Sequence, residues 1–540
     1  MNKRITLLPG IISAGLITFV VVAALTALIS QANDWQLSTL WHDPYLRHVT
    51  GFSFYQAILS TLFSIIPAIP IAYALSRRQF VGKALLLRLF AMTLVIPVLV
   101  AVFGLLSIYG KSGLISHNLE ILGLPPLNIY GLSGILLAHV FLNLPLTVRF
   151  LLQSLDGIPA EQHQLAAHLS ITGWSKFRLI AWPRLRQQLP HIAGLVFMLC
   201  FTSFAVIMSL GGGPKSTTIE LAIYQALRYD FDLATGAILA LWQMLLCCSL
   251  VLFTQRFAKP LSTLNGSISK KVVNYNDTWR AKCWDVFWII SALVFVIPPI
   301  IAVFVSGINH QLFNILEQKQ LWSAITNSLH IALFSCLLAF CLGVMILITS
   351  RSLRLARKKL AADGIEMIGT VILVTPGLVL STGIFLLLRQ YTDAYSAAFW
   401  VVVCVNALMA LPYVIKTLSQ PMLHLAQQYN PLCRSLGMTH LSRLRLVEWR
   451  ALRAPIAQAL AISFVLSLGD LGAIALFGSQ DFQTLPLYLF ELMGSYRMDA
   501  AAVAALVLLL LSLGLFSAVE YLVVTRHRHR HRQGVHHAKH

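Results

Sequence analysis

Charge is scarce in this 540-residue chain. Only 11% of residues are Asp, Glu, Lys or Arg, 57% are apolar, and mean hydropathy is +0.76. A soluble domain carries about 25% charged residues, so no ordinary water-exposed surface can be built. Polar low-complexity tracts are missing, which excludes a disordered chain. The eight cysteines include no C-x-x-C pair, so neither a zinc site nor a disulfide framework is indicated. A phosphate loop is also missing. The nearest string, Gly104 to Ser112, has five residues between its glycines where that loop needs four. No cofactor or metal is expected on this chain, and no catalytic cluster. An enzyme is not expected.

What is present is length in apolar runs. About 20 residues cross a ~30 Å hydrocarbon core at 1.5 Å per residue. Twelve such spans are expected, near 11–30, 54–76, 87–109, 132–154, 190–210, 234–255, 285–306, 327–350, 367–388, 396–416, 458–478 and 500–524. The net charge of +20 resides in short loops, so it points to a bilayer and not to nucleic acid. Of 40 basic residues, all but Arg47, Lys111, Lys215, Arg228, Lys319, Arg389 and Arg497 fall on one set of alternate loops. Positive-inside bias makes that side, with both termini, cytoplasmic. The first apolar stretch is too long for a signal peptide's core, so an uncleaved first span is expected.

The chain repeats itself. Pro97 and Gly104 match Pro376 and Gly383 with the same internal spacing. Leu144-Pro145 and Leu411-Pro412 lie 267 positions apart, as do Ser170 and Gly437, Ile207 and Ile474, Gly211 and Gly478, and Tyr229 and Tyr496. Six spans per half restore the starting side, so the repeat is parallel, as in transporters. The expected organisation is all-α: a first half over 1–255 (membrane domain about 50–255) and a linker over 256–284. A second half over 285–525 (membrane domain about 322–525) and a basic, His-rich tail over 526–540 follow.

Two cytoplasmic loops stand out, Pro159 to Pro190 and Ala426 to Pro455. In each, apolar residues recur every three or four positions between bases (Leu165, Leu169; Leu432, Leu436). That suits a surface helix against a partner or against lipid headgroups. Gln164-Leu165-Ala166, Ser170, Ile180 and Trp182-Pro183 follow one spacing. Leu432-Cys433, Gly437, Val447 and Trp449 follow it again. This spacing resembles the coupling loop of binding-protein-dependent ABC importer permeases, type I. In that family the pattern is E-A-A, three residues, Gly, nine residues, Ile, one residue, Leu-Pro. Glu is absent from both copies, Gly from the first and Pro from the second. Four stretches, 94–113, 130–145, 209–227 and 466–488, are similar to the fused, double-length thiamine importer permeases. Fused ferric-iron permeases share the architecture and are the alternative.

The resemblance implies a permease that gives thiamine its path across the bacterial inner membrane. An ABC ATPase subunit, in two copies, would bind the ATP and grip both loops. A periplasmic thiamine-binding protein would deliver the vitamin. Asp470, with Ser203 as its counterpart at the 267-residue offset, is the candidate path residue. A carboxylate deep in a span usually faces a cavity or a partner. It would attract the thiazolium cation, or merely bond a neighbouring helix. His139 and Asn143 share one face of the fourth span and are expected to bond across helices. A twelve-span secondary transporter would need intramembrane charge pairs and an acidic loop between spans two and three. The loop here, 75–83, has no Asp.

Overall fold

The computed structural model describes residues 7–31, 43–93, 95–257, 278–370, 372, 375–389, 397–438, 440–479 and 482–537. Most of the expected linker, 258–277, and the side chains of the tail lie outside the described residues. Among the described residues every regular element is a helix.

The first half supplies α1 (Leu8–Gln31), α2 (Pro44–Arg77), α3 (Lys83–Met92), α4 (Val98–Tyr109), α5 (Leu132–Asp156), α6 (Ala160–His168), α7 (Trp182–Phe201), α8 (Phe204–Leu210), α9 (Ile219–Arg228) and α10 (Leu233–Phe257). The second supplies α11 (Trp279–Gly307), α12 (Lys319–Leu355), α13 (Lys359–Thr370), α14 (Gly377–Arg389), α15 (Ala398–Ser435), α16 (Trp449–Leu468), α17 (Gly472–Phe477), α18 (Leu485–Gly494) and α19 (Met498–His537).

Among the described residues ten helices are long and apolar enough to cross a membrane, or eleven if Gly173–Phe201, which contains α7, and α8, bent by 52°, form one span. Twelve were expected; the two outside the ten are the fifth, 190–210, which bends between Phe201 and Phe204, and the ninth, 367–388. The third is present but displaced to Val98–Ile121, because the expected stretch 87–109 is broken at a proline. α3 ends at Met92 and α4 starts after Pro97. The ninth, 367–388, breaks the same way before Pro376, leaving the 13-residue α14. Proline lacks the amide proton a helix needs and drives its predecessor out of helical geometry. A hydropathy window averages over such a break.

The chain forms two compact units, and they do not follow the expected halves. One comprises Met1–Trp35, Ile223–Met244 and Gln311–His540; the other comprises Gln36–Ala222 and Leu245–His310. The opening helix of each half has changed sides. α1 packs on α12, α13 and α14 of the second half, and α11 packs on α2 and α4 of the first. Each unit is built on the same triangle of helices: α2, α5 and α7 in one, α12, α15 and α16 in the other.

The reason for the exchange is written in small and polar residues. α1 buries Gly10, Ser13, Ala14, Ile17, Val21 and Ala24 along one stripe. Gly10 N donates to Thr349 Oγ1 at 2.9 Å, and Ser13 Oγ donates to the Leu342 carbonyl at 3.1 Å. A Cβ on Gly383 would collide with the backbone of Ala24. α11 repeats the device. A Cβ on Gly104 would strike the Pro299 carbonyl. Asp285, 1% exposed, pairs with Arg77 and with Arg78, whose Nε lies 2.7 Å from Oδ2. Asp285 is thus a deeply buried carboxylate matched by two guanidiniums. Small residues let helix backbones approach where lipid gives no hydrophobic drive.

Within α2, α5 and α7, His139 Nδ1 bonds Ser60 Oγ at 2.9 Å and Asn143 Nδ2 donates to Cys200 Sγ at 3.3 Å. His139 and Asn143 thus both bond across helices, as expected. In the other unit Asn406 Nδ2 donates to Ser467 Oγ at 3.2 Å. Asn406 and Ser467 stand 267 positions after His139 and Cys200, so α15 and α16 are joined by a polar bond as α5 and α7 are, through a different pair of positions.

Candidate functional site: two surface loops and two broken helices

The two loops share one backbone. In the first, α6 ends and Ser170 turns into the left-handed region at φ 52°. Ile171 N then donates to the Ala166 carbonyl at 2.8 Å. In the second, α15 runs on to Ser435, Gly437 turns at φ 60°, and Met438 N donates to the Cys433 carbonyl at 3.0 Å. Such a bond, five residues back, satisfies a carbonyl left over at a helix end. One helical turn follows in each, Gly173–Lys176 and His440–Arg443. Next come wide π segments, Phe177–Ala181 and Leu444–Glu448, which run into α7 and α16.

The sequence-predicted loop residues fall into two groups. Ala166 and Cys433 are buried beneath their turns. Gln164, Leu165, Leu432, Pro183 and Trp449 are exposed, and Ile180 and Val447 sit half-buried in the π segments. Leu169, Trp174 and Leu179 add to the exposed apolar face of the first loop, Leu436 and Leu446 to that of the second. A run of exposed large apolar side chains marks an interaction face. Half-burial, with Lys176 adding repulsion, holds the His163 imidazole below its ordinary value, so it stays neutral at pH 7.

The loops differ in what holds them down. Phe177 meets Tyr73 of α2 edge-on, with ring centroids 4.9 Å apart, and stacks on Trp174 at 5.1 Å. Arg77 lies over the Tyr73 ring at 4.2 Å. The second loop is held by charge. Glu448 accepts from Arg351 Nη1 of α12 at 3.1 Å and from Arg443 Nη2 at 2.7 Å. Sequence reasoning missed both anchors. One signal was available: Glu448 is the lone acid among five arginines between Ala426 and Pro455.

Asp470 and Ser203 both sit where a helix breaks. α16 ends at Leu468 and α17 begins at Gly472. Asp470, one residue before the N-cap Leu471, accepts from Ala473 N with its Oδ2 at 3.2 Å and so satisfies an amide in the first turn of α17. Ser203, its counterpart at the 267-residue offset, is the N-cap of α8 and makes no side-chain capping bond. Each belongs to its own compact unit.

A helical chain whose sequence repeats, each half carrying the same surface loop, has the character of a transport permease. Residues 339–528 match the family model described as a binding-protein-dependent transport system inner membrane component. Over nearly the whole length the chain is similar to curated proteins. It is 50% identical to the thiamine transport system permease protein ThiP of Escherichia coli (strain K12), covering 96% of each chain. It is 49% identical to that of Salmonella typhimurium, again over 96% of each, and 40% identical to that of Haemophilus influenzae, over 94% and 95%. The chain belongs to the thiamine transport system permease family.

Proposed function

We propose that this chain is the membrane path of an ATP-driven thiamine importer. Relatives 40–50% identical over nearly their whole length are thiamine permeases, and that observation carries the substrate. Two copies of a separate ABC ATPase subunit bind and hydrolyse the ATP, one docking on each surface loop. The support is physical. The two loops repeat one backbone, left-handed turn and π segment included, and each presents exposed leucines beside a tryptophan. A lipid-lying helix has no need of a repeated turn. The loops, the basic residues and both termini face the cytoplasm of the bacterial inner membrane, in line with the charge bias. A periplasmic binding protein delivers thiamine to the opposite face, where Asp470 draws the cation toward the path.

The test is uptake in cells. Thiamine import stops when the partner ATPase is inactivated by mutation. It continues when the proton gradient is collapsed and ATP is maintained. Import that follows the proton gradient in cells without the ATPase overturns this reading.

A further inference from the structure

Glu448 stands at a junction of three segments. It ends the π segment of the second loop, one residue before α16 begins. Its Oε1 accepts from Arg443 Nε at 2.8 Å within the loop and from Arg351 Nη1 at 3.1 Å. Arg351 lies one turn before the end of α12. Glu448 and Arg351 side chains are 13% and 14% exposed, so neither is offered to a partner. The exposed face of the loop is made by Leu432, Leu436, Leu446 and Trp449. Docking and anchoring therefore use different residues.

The first loop has no carboxylate at the matching position. The position 267 residues earlier holds Ala181, buried at 4%. The loop meets α2 through the Phe177–Tyr73 ring pair, among its contacts. Ring contacts rest largely on dispersion and tolerate sliding. A guanidinium–carboxylate pair fixes direction and distance, and resists rotation. Two guanidiniums share one oxygen, so removing the carboxylate charge sets them in repulsion.

We propose that Glu448 is a positioning residue that makes the second loop and α12 move as one body, so that displacement of the loop by an ATPase reaches the membrane through Arg351. This rests on the coupling reading of the loops given above. The first loop transmits through a softer, apolar contact, and the two halves respond unequally.

The experiment uses the full complex of chain, ATPase and binding protein in proteoliposomes. Copurified ATPase, basal hydrolysis and stimulation by thiamine-loaded binding protein are measured per inserted chain. Glu448→Gln keeps the ATPase and basal hydrolysis, yet stimulation falls about tenfold. Arg351→Gln gives the same loss, and the double variant is no worse than either single. Arg443→Gln, which leaves the Arg351–Glu448 bond, retains most of the stimulation and controls for lost charge. Glu448→Asp recovers part of it. Wild-type stimulation in Glu448→Gln, or losses that add in the double variant, overturns the proposal. So does loss of ATPase from the complex, because Glu448 would then be a docking or folding residue. A wild-type chain that binds no ATPase removes the coupling reading itself, and the pair with it.

Discussion

The two surface loops repeat a backbone and do not repeat an anchor. Ser170 and Gly437 turn the same way, and the π segments after them begin 267 residues apart. Yet the first loop rests on rings and the second on a shared carboxylate. Backbone geometry is set by hydrogen bonds that any residue supplies, so a duplicated segment keeps it while side chains drift. An anchor needs particular atoms, and each half has found its own. What the halves kept in common is therefore the shape presented outward. How rigidly that shape is tied to the membrane helices is where they parted.

The largest expected effect lies where the halves agree most closely. Gly104 and Gly383 each admit the exchanged helix of the opposite half against backbone atoms. Gly104→Leu and Gly383→Leu have no flexible neighbour to displace. Each should destabilise by about 3 kcal/mol or more, and inserted protein should fall sharply for both. Membrane-fraction abundance and melting in detergent check this. A wild-type level for either variant would mean that the exchanged helices are not held at the glycines.

Next in size is a contrast between the anchors. Phe177→Ala removes a half-buried ring and should cost about 1–3 kcal/mol, largely independent of salt. Glu448→Ala leaves Arg351 and Arg443 close together without their carboxylate. Its loss of about 1–3 kcal/mol should change with ionic strength, since added salt screens the repulsion. Thermal melts at low and high salt separate the two. Identical salt dependence would erase the distinction drawn between rings and charge.

Asp470 sharpens the comparison at the breaks. Its bond to the first turn of α17 is one that asparagine can also accept, and its counterpart Ser203 makes no such bond. Asp470→Ala should lose about 1 kcal/mol of helix capping, whereas Asp470→Asn should keep the cap and lose only the charge. Uptake per inserted chain is the measurement. Equal, full uptake for Asn and wild type rejects attraction of the thiamine cation and leaves Asp470 as a cap.

Much of this was legible in the sequence, because it depends on local order. The apolar runs, the parallel repeat, the loop spacing and the cross-helix bonds of His139 and Asn143 are local or periodic signals. The helix exchange was not. Gly10 meets Thr349, and Ser13 meets Leu342, across more than 300 residues, and hydropathy carries no information about partners. The breaks at Pro97 and Pro376 were visible as prolines but were averaged into spans. Glu448 was missed because a lone acid in a basic loop reads as surface charge until its partner on α12 is known.

The smallest effect concerns the turns themselves, and it has opposite signs in the two loops. A residue with a Cβ in the left-handed region costs about 1 kcal/mol relative to glycine, because Cβ crowds the backbone. Ser170 accepts that strain at φ 52°, held by bonds from Ser170 N to Ala167 O at 3.1 Å and Ile171 N to Ala166 O at 2.8 Å. Gly437 carries none at φ 60°, and no atom lies within 4 Å of where its Cβ would be. Steric space is thus not at issue at 437, and backbone strain alone decides the outcome. Gly437→Ser should therefore lower stability by somewhat under 1 kcal/mol. Ser170→Gly should raise it by a similar or smaller amount, since glycine also frees the unfolded chain. The pair is read as melting-temperature shifts of the purified chain, singly and combined. Opposite shifts that nearly cancel in the double variant are expected; shifts of the same sign would show that the two turns are not one structure repeated.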